Sequence, residues 1–355
     1  MKPITAFLFV WAAASILACG KASLEQPAAN AGPVAVEATG TVRISLGGPF
    51  TATRVTNPAD ETETQCQRWA LWLFDQNGDS TAYGTSLSGE GISKTVLVGD
   101  YTAVALVNYP TSLDPADIRK KQDIAERVTS LSDNAAGAFL MYGETTIRLE
   151  KDRTVSQTVD VKRLVAKVGI KKVSVAFESP YLAAKTTVLQ AIYLTNLYRT
   201  SRMGADYTSA ELSAASSAWY NVMGWHLGGS TNAATDALVG DLAIQATLTP
   251  SAPHTSAHYF YAYPNPTPEG ADTHNAVWSI RSSRLVLQVA VGGKTYYYQI
   301  QIPAMGRNRK YIAEEIILKK LGSQDPEQEI PGAVDVVFSA SGQDWDNDYN
   351  VTENT

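Results

Sequence analysis

The sequence predicts a mostly β protein with two β-sandwich domains and a few short helices. Many short segments of apolar or alternating residues are separated by clusters of Gly, Pro, Asn and Asp, which is typical of sandwiches. In the first half of the chain, only residues 115–131 carry a good pattern of apolar residues at helical spacing. The 355 residues are enough for two domains of ordinary size after an amino-terminal leader is removed. No repeat of fixed period indicates a solenoid or a propeller.

Residues 1–18 have the pattern of a lipoprotein signal peptide. Lys2 precedes an apolar run from Ile4 to Leu17, which is shorter than the roughly 20 residues that span a bilayer. The run ends in Leu-Ala-Cys19, and a cysteine directly after small residues resembles a bacterial lipobox. We therefore expect cleavage before Cys19 and acylation of its thiol, which would anchor the chain to a membrane surface. The alternative is an ordinary signal peptide with a chance cysteine.

The first half of the chain reads as a tether followed by one sandwich. Residues 19–40 are mainly Ala, Pro, Gly and Glu and predict a flexible tether. Residues 41–46 alternate polar and apolar side chains, as a half-buried strand does, and a polar loop containing Arg54 follows. The predicted domain at 55–162 contains a strand at 69–74, a hairpin of strands 94–98 and 101–108, a helix at 115–131, and strands at 143–149 and 155–161.

A second series of strands predicts a carboxy-terminal sandwich at 163–355. Residues 200–249 are rich in Ala, Ser, Gly and Asn, and we expect long loops with one short helix near 209–217. Residues 322–331 form a linker of Gly, Pro and acidic residues before the last predicted strand, 334–339. The other predicted strands are 163–170, 173–177, 188–197, 258–263, 284–291, 294–302 and 310–318.

Charge and cysteine content limit the partners of the chain. The net charge is −6, with acidic and basic residues interspersed, and no basic stripe with interleaved aromatics indicates a nucleic-acid partner. The other cysteine, Cys66, precedes the apolar strand at 69–74 and is interpreted as a buried, inert thiol. If Cys19 carries lipid, no intramolecular disulfide can form.

The motifs of catalytic, cofactor and metal sites are missing from the sequence. His254 and His258 are four residues apart, but their segment is not helical and lacks a His-Glu-x-x-His motif. Tyr259, Tyr261 and Tyr263 would share one face of a strand, which indicates core more often than a surface that stacks on sugar rings. We predict no enzyme, no cofactor and no metal.

The order of the segments resembles the fimbrillins, the subunits of the protease-assembled (type V) pili of Bacteroidales. The resemblance covers nearly the whole mature chain, although no landmark aligns between Asn221 and Thr249. The lipobox Cys19 is followed by a short strand, a loop with a basic residue, and an apolar strand. The further matches are Tyr101–Asn108, an apolar strand ending in Asn; Arg163–Lys167, similar to Arg-x-x-Ala-Arg/Lys; Asn196–Tyr198; Tyr296–Tyr298; Arg307–Tyr311, similar to Arg-Asn-x-x-Tyr; and Trp345 after a Gly/Pro linker and a strand.

The resemblance implies two transthyretin-like domains that assemble by strand exchange. In the family, an arginine-specific protease cuts in the loop after the first strand, and on this chain that bond is Arg54-Val55. Arg43 is the competing site, but it lies within the strand, where cleavage would require unfolding. Maturation would then remove residues 41–54 together with the preceding tether.

Loss of the first strand would open an apolar groove that a strand from another subunit could fill. Residues 334–339 have the form of the donor, with Val334, Val336 and Phe338 facing one way. The alternative is that this strand completes its own domain, as carboxy-terminal strands usually do.

We therefore expect a structural subunit of a cell-surface pilus that serves adhesion. Its partners would be copies of itself or related pilus subunits, the arginine-specific maturation protease, and the outer membrane through acylated Cys19 before cleavage. An anchor subunit, which in this family keeps its first strand, is disfavoured by Arg54. The alternative from another class is a monomeric surface lipoprotein that binds glycan through its sandwich domains.

Overall fold

The computed structural model describes residues 37–50, 63–213, 215–221, 225–226, 229–230, 232–233, 237–268, 280–302 and 304–345. Ala38–Thr355 cluster as one compact unit. The described residues are mostly β-strands with short helices, which confirms the predicted fold class. In the described part of the chain, no helix combines the length and the apolar character needed to cross a membrane.

The first half of the described chain contains nine strands, and in one of them every residue is buried. Residues Trp69–Phe74 are all buried because the strand lies between two others in a covered sheet. The strands are β1 (Thr39–Gly47), β2 (Trp69–Phe74), β3 (Ser80–Ser86), β4 (Ile92–Leu97), β5 (Gly99–Val107), β6 (Val128–Ser130), β7 (Met141–Leu149), β8 (Thr154–Asp160) and β9 (Lys162–Arg163), with one helix, α1 (Lys121–Ala125).

Eight of these strands form two sheets. The smaller sheet has the order β4-β1-β8, in which β1 runs antiparallel to β4 and parallel to β8. The larger sheet has the antiparallel order β3-β2-β5-β7-β9. Apolar side chains from both sheets belong to the same buried cluster, and they include Val42, Trp72 and Val104. The amino-terminal half is therefore a sandwich whose smaller sheet is centred on the first strand.

The second half contains two further large sheets. One helix, α2 (Pro180–Ala183), interrupts the series. The strands are β10 (Ala166–Ile170), β11 (Val173–Val175), β12 (Thr187–Thr195), β13 (Leu197–Tyr198), β14 (Thr200–Arg202), β15 (Trp219–Asn221), β16 (Trp225–His226), β17 (Gly229–Ser230), β18 (Asn232–Ala233), β19 (Gly240–Asp241), β20 (Ala246–Leu248), β21 (His258–Ala262), β22 (Ser283–Val291), β23 (Lys294–Ile302), β24 (Arg309–Leu318) and β25 (Val334–Asp344).

One of these sheets has the order β11-β24-β10-β21, and β25 pairs with the other side of β24. The facing sheet has the order β19-β12-β22-β23, with β20 also on β12. Short sheets join β13, β15 and β18, and β16 and β17. A pairing between β6 and β14 ties the two halves of the chain together. The two sheets of the first half end with β9 at Arg163, and the large sheets of the second half begin with β10 at Ala166. The domain boundary at residue 163 stays a prediction.

Two predicted elements are wrong, each for a physical reason. The helix expected at 115–131 is broken into a 3-10 turn, α1 and β6, and Ile118, Ile124 and Leu131 reach the core from separate pieces while Val128 is 55% exposed. The hairpin expected about Gly99-Asp100 does not form, because β4 pairs with β1 and β5 pairs with β2 and β7. The chain crosses from one sheet to the other at this point.

Residues 200–249 contain short strands and a 3-10 turn at Ser216–Ala218 in their described part, close to where a short helix was expected. β3 was missed by the sequence patterns. Its side chains are mostly polar or small, and Gly84 is its one buried residue. A strand with this composition gives no hydrophobic alternation to detect.

Candidate assembly site at the first strand

The first strand, β1, occupies the centre of its sheet. Six of its residues are in register with β4 and seven with β8. Val42, Ile44 and Leu46 point into the core and are nearly inaccessible, whereas Arg43 and Ser45 are exposed on the other face. The alternation predicted for residues 41–46 is therefore present.

The small sheet depends on β1 for all of its strand pairing. Both β4 and β8 pair with β1, and in the described part of the chain neither pairs with another strand. Removing β1 would leave two separated strand edges with unpaired N–H and C=O groups. The gap between them is one strand wide and has an apolar floor.

The chain leaves β1 through a tight turn against the end of β8. Gly48 has a φ of +67°, and a side-chain Cβ placed there would lie 2.4 Å from the carbonyl oxygen of Val161. The backbone N–H of Gly48 donates to Asp160 Oδ1 over 3.1 Å. Only glycine fits this approach without strain. The turn continues into a 3-10 helix at Gly48–Phe50.

The predicted processing residues Cys19, Arg54 and Val55 lie outside the described residues. The competing cleavage residue Arg43 is described. It sits within β1, in register with Ser93 on one side and Ser156 on the other. A protease could reach this peptide bond only if the strand left the sheet.

The candidate donor strand lies on its own domain in this structure. β25 pairs with β24 from Val334 opposite Leu318 to Asp344 opposite Arg309. Val334 and Val336 are half-buried against the core, as expected for one face of a strand. Phe338 lies opposite Ala313, where the register of the two strands shifts, and it is 43% exposed and does not pack against the core as Val334 and Val336 do.

The linker before β25 is more tightly packed than a flexible linker. Glu327 is 3% exposed and forms an ion pair with Arg281, while Arg284 Nη1 donates to the backbone oxygen of Glu327 over 2.8 Å. Ser323 forms a β-bridge with Tyr297. The carboxylate of Glu327 can be buried because it is paired with the guanidinium of Arg281.

Three asparagines in the motifs that carry the resemblance have left-handed backbone conformations. Asn108, Asn196 and Asn308 have φ angles of 55°, 56° and 53°. Asparagine adopts this conformation more readily than most residues. Asn108 follows β5, and its side chain accepts from the N–H of Gln67 over 2.9 Å and donates to the oxygen of Gln65 over 2.8 Å. Asn108 and Asn196 follow directly on β5 and β12, and Asn308 directly precedes β24.

Other motif residues come together in a buried cluster that was not foreseen from the sequence. Asn308 Oδ1 accepts from the backbone N and from Nη1 of Arg163, over 3.2 and 3.3 Å. Its Nδ2 donates to Asp344 over 3.0 Å. Arg163 Nε donates to the backbone oxygen of Glu63 over 3.2 Å, and Lys167 pairs with the Glu63 carboxylate. The acid was missed because it follows a polar loop, which predicts an exposed side chain.

The residues considered for sugar or metal binding make other contacts. Tyr261 and Tyr263 are buried, so they are not a surface for stacking on sugar. His254 Nε2 and His258 Nε2 are 2.8 Å apart and share a hydrogen bond. In the described part of the chain, no group of three His, Cys, Asp or Glu residues could hold a metal ion. Cys66 is half-buried, and burial raises the pKa of its thiol to about 11.

Comparison with known proteins supports a fimbrial relationship. Residues 37–185 match the family model of fimbrillin-A associated anchor proteins Mfa1 and Mfa2. No functionally curated protein matches the chain. The matched region contains the strands β1 to β9, and therefore the whole β4-β1-β8 sheet.

The fold is shared with solved structures from Bacteroidales. A protein designated a cell adhesion protein from Bacteroides eggerthii is 17% identical, with a TM-score of 0.64 over 86% of this chain and 96% of the other. A similarly designated protein from Parabacteroides distasonis is 13% identical, with a TM-score of 0.62 over 85% and 98%. A fimbrilin from Porphyromonas gingivalis is 13% identical, with a TM-score of 0.59 over 85% and 97%. The resemblance to the fimbrillins is confirmed: the chain matches the fimbrillin-associated family over residues 37–185 and has the fold of Bacteroidales fimbrial and cell adhesion proteins.

Proposed function

We propose that this chain is a structural subunit of a cell-surface fimbria that serves adhesion and polymerises by donor-strand exchange, in which β25 of one subunit replaces the removed first strand of another. It is exported as a lipoprotein acylated at Cys19 and is opened by cleavage of the Arg54-Val55 bond. The single observation that carries the proposal is the central place of β1 between β4 and β8. The family match and the shared fold point to a structural fimbrial protein rather than an enzyme.

The position of β1 explains why a precursor would be soluble and a cut subunit would assemble. In the precursor, Val42, Ile44 and Leu46 fill the groove, and each buried side chain of this size contributes roughly 1.5–3 kcal/mol. A chain that lost the strand would lose a large share of the ~5–15 kcal/mol that stabilises a domain. A strand from a second subunit restores the pairing to β4 and β8.

The two arginines near β1 differ in what cleavage requires. Arg43 is paired on both sides within the sheet, so cutting beside it needs prior unfolding. Arg54 follows the turn at Gly48 and the 3-10 helix in the sequence. A cut after Arg54 separates the whole of β1 from the rest of the chain. This supports Arg54-Val55 as the maturation bond.

An anchor subunit is the second candidate, and the description of the matching family favours it. An anchor would keep β1 and the lipid on Cys19, and it would hold a fimbria on the outer membrane. The two candidates share the fold and the groove. They differ in whether the first strand is removed.

The amino terminus of the protein on intact cells tests the proposal. Mass spectrometry of surface protein released by shearing should find chains that begin at Val55 in fibres that contain many copies. Chains that begin at acylated Cys19 and stay with the membrane fraction would contradict the polymerising subunit. Among those chains, attachment to a fimbria would support the anchor, and a free monomer would support the glycan-binding lipoprotein.

A further inference from the structure

A buried acid follows the loop that contains Arg54. Glu63 is 2% exposed, and its carboxylate accepts hydrogen bonds from three side chains. Lys167 Nζ lies 2.9 Å from Oε2, Trp345 Nε1 donates to Oε2 over 3.1 Å, and the Tyr261 hydroxyl donates to Oε1. A buried carboxylate is tolerated only with such partners. Contacts with Lys167 and Tyr261 therefore fix the Glu63 carboxylate, and the carboxylate fixes the indole N–H of Trp345.

Trp345 directly follows β25 and packs against one cationic and two aromatic side chains. The guanidinium carbon of Arg163 lies 4.3 Å from the centroid of the indole, within the range of a cation–π contact. The Tyr261 ring stacks at a centroid distance of 5.7 Å, and Phe139 meets the indole edge-on at 5.7 Å. Only 5% of Trp345 is exposed. Its indole N–H would have no carboxylate acceptor here without Glu63.

The half of β25 next to Trp345 is the less regular half of its ladder. The register with β24 shifts three times between Lys310 and Glu315, opposite the residues that lead to Trp345. Residues Val334 to Val336 pair regularly with the other end of β24. Val337 and Phe338 are 52% and 43% exposed and bury little apolar surface. Trp345 is thus the main apolar anchor of the second half of the strand.

We infer that Glu63 and Trp345 form a latch that holds β25 on its own subunit until the chain is cut at Arg54. The inference rests on the proposed function, in which β25 moves to a second subunit. Glu63 and β1 flank the loop that would be cut. Cutting turns the segment before Glu63 from a closed loop into a free end, so the segment gains more conformational entropy when Glu63 undocks. Cleavage thereby frees the groove for an incoming strand and weakens the hold on the outgoing one.

Hydrogen exchange of the purified full-length precursor tests the latch before any cleavage. In Glu63→Gln, amides of residues 337–345 should exchange at least tenfold faster than in the unmodified chain, and Trp345→Phe, which keeps an aromatic ring but loses the indole N–H, should act in the same direction. The amides of β22 and β23 should not change. Glu211→Gln is the matched control, because Glu211 is also an ion-paired acid but lies at the surface beside Arg202.

Unchanged exchange of residues 337–345 in Glu63→Gln would overturn the latch. Equal acceleration in β22 and β23 would show a general loss of stability and would also overturn it. After treatment with an arginine-specific protease, the Glu63→Gln chain should assemble faster than the unmodified chain. If the cut chains never assemble while Glu63→Gln still opens residues 337–345, the strand-exchange function fails and the latch stands. If the cut Glu63→Gln and unmodified chains assemble at the same rate, and their amides at residues 337–345 exchange at the same rate before cleavage, the latch alone fails.

Discussion

Replacing Ile44 with Ala should loosen the first strand more than any change on its exposed face. Ile44 is 1% exposed and lies at the end of the register with β4 and within the register with β8. Truncating a buried isoleucine to alanine costs about 2–5 kcal/mol, from lost burial and the cavity that remains. The precursor should lose this amount of its free energy of unfolding.

The same loss has a larger consequence once the loop is cut. In a cut subunit, β1 is held only by non-covalent contacts, and each 1.4 kcal/mol changes an equilibrium constant tenfold. The Ile44→Ala strand should therefore bind its groove about 30-fold to a few thousandfold more weakly. Assembly of cut subunits should start sooner, because the groove is empty for a larger fraction of the time.

Urea denaturation of the uncut precursor measures the first effect, and size-exclusion chromatography during protease treatment measures the second. Arg43→Ala is the matched control, since Arg43 is exposed on the same strand and its loss should cost within about 0.5 kcal/mol. If Ile44→Ala lowers neither the free energy of unfolding nor the delay before assembly, β1 does not hold the groove closed.

Three further predictions concern the lipobox cysteine, the half-buried thiol of Cys66 and the carboxy-terminal strand. Cys19→Ser should abolish labelling with palmitate and leave precursor or released protein, whereas retained labelling would refute the lipobox. Because burial raises the pKa of Cys66 to about 11, its alkylation by iodoacetamide should accelerate about tenfold per pH unit from pH 8 to 10; a plateau near pH 8.5 would show an ordinary thiol. Deleting residues 334–355 should give a folded chain that does not polymerise, with a lower melting temperature because Trp345 is lost, and unfolding of that chain would assign the strand to its own domain alone.

The strands with clear patterns were predictable from the sequence. β1 alternates because one of its faces is exposed, whereas β2 and residues 103–107 of β5 are apolar and buried because both faces of the sheet are covered there. The pairing partners were not predictable, since β4 and β5 are adjacent in the chain and yet lie in opposite sheets. Neighbouring strands in a sequence usually pair, and local pattern does not reveal a crossing.

The candidate site was only partly predictable for a similar reason. The groove-filling residues Val42, Ile44 and Leu46 follow from their period of two. Glu63 and Glu327 are buried only because cations from distant parts of the sequence neutralise them. No local pattern shows such a pairing, so both acids read as parts of exposed segments. The exposure of Phe338 was likewise not predictable, because the register shifts beside it depend on how β24 and β25 pair.

Protease-triggered assembly of the purified precursor tests the central claim most directly. An arginine-specific protease added to the unmodified chain should produce subunits that begin at Val55 and form oligomers, seen as a ladder on gels and by light scattering. The Arg54→Ala precursor should stay monomeric and keep β1 under the same treatment. If Arg54→Ala still forms fibres with Arg43 intact, the cut lies elsewhere. If the double variant Arg43→Ala/Arg54→Ala also polymerises, proteolytic opening of the groove is not how this protein assembles.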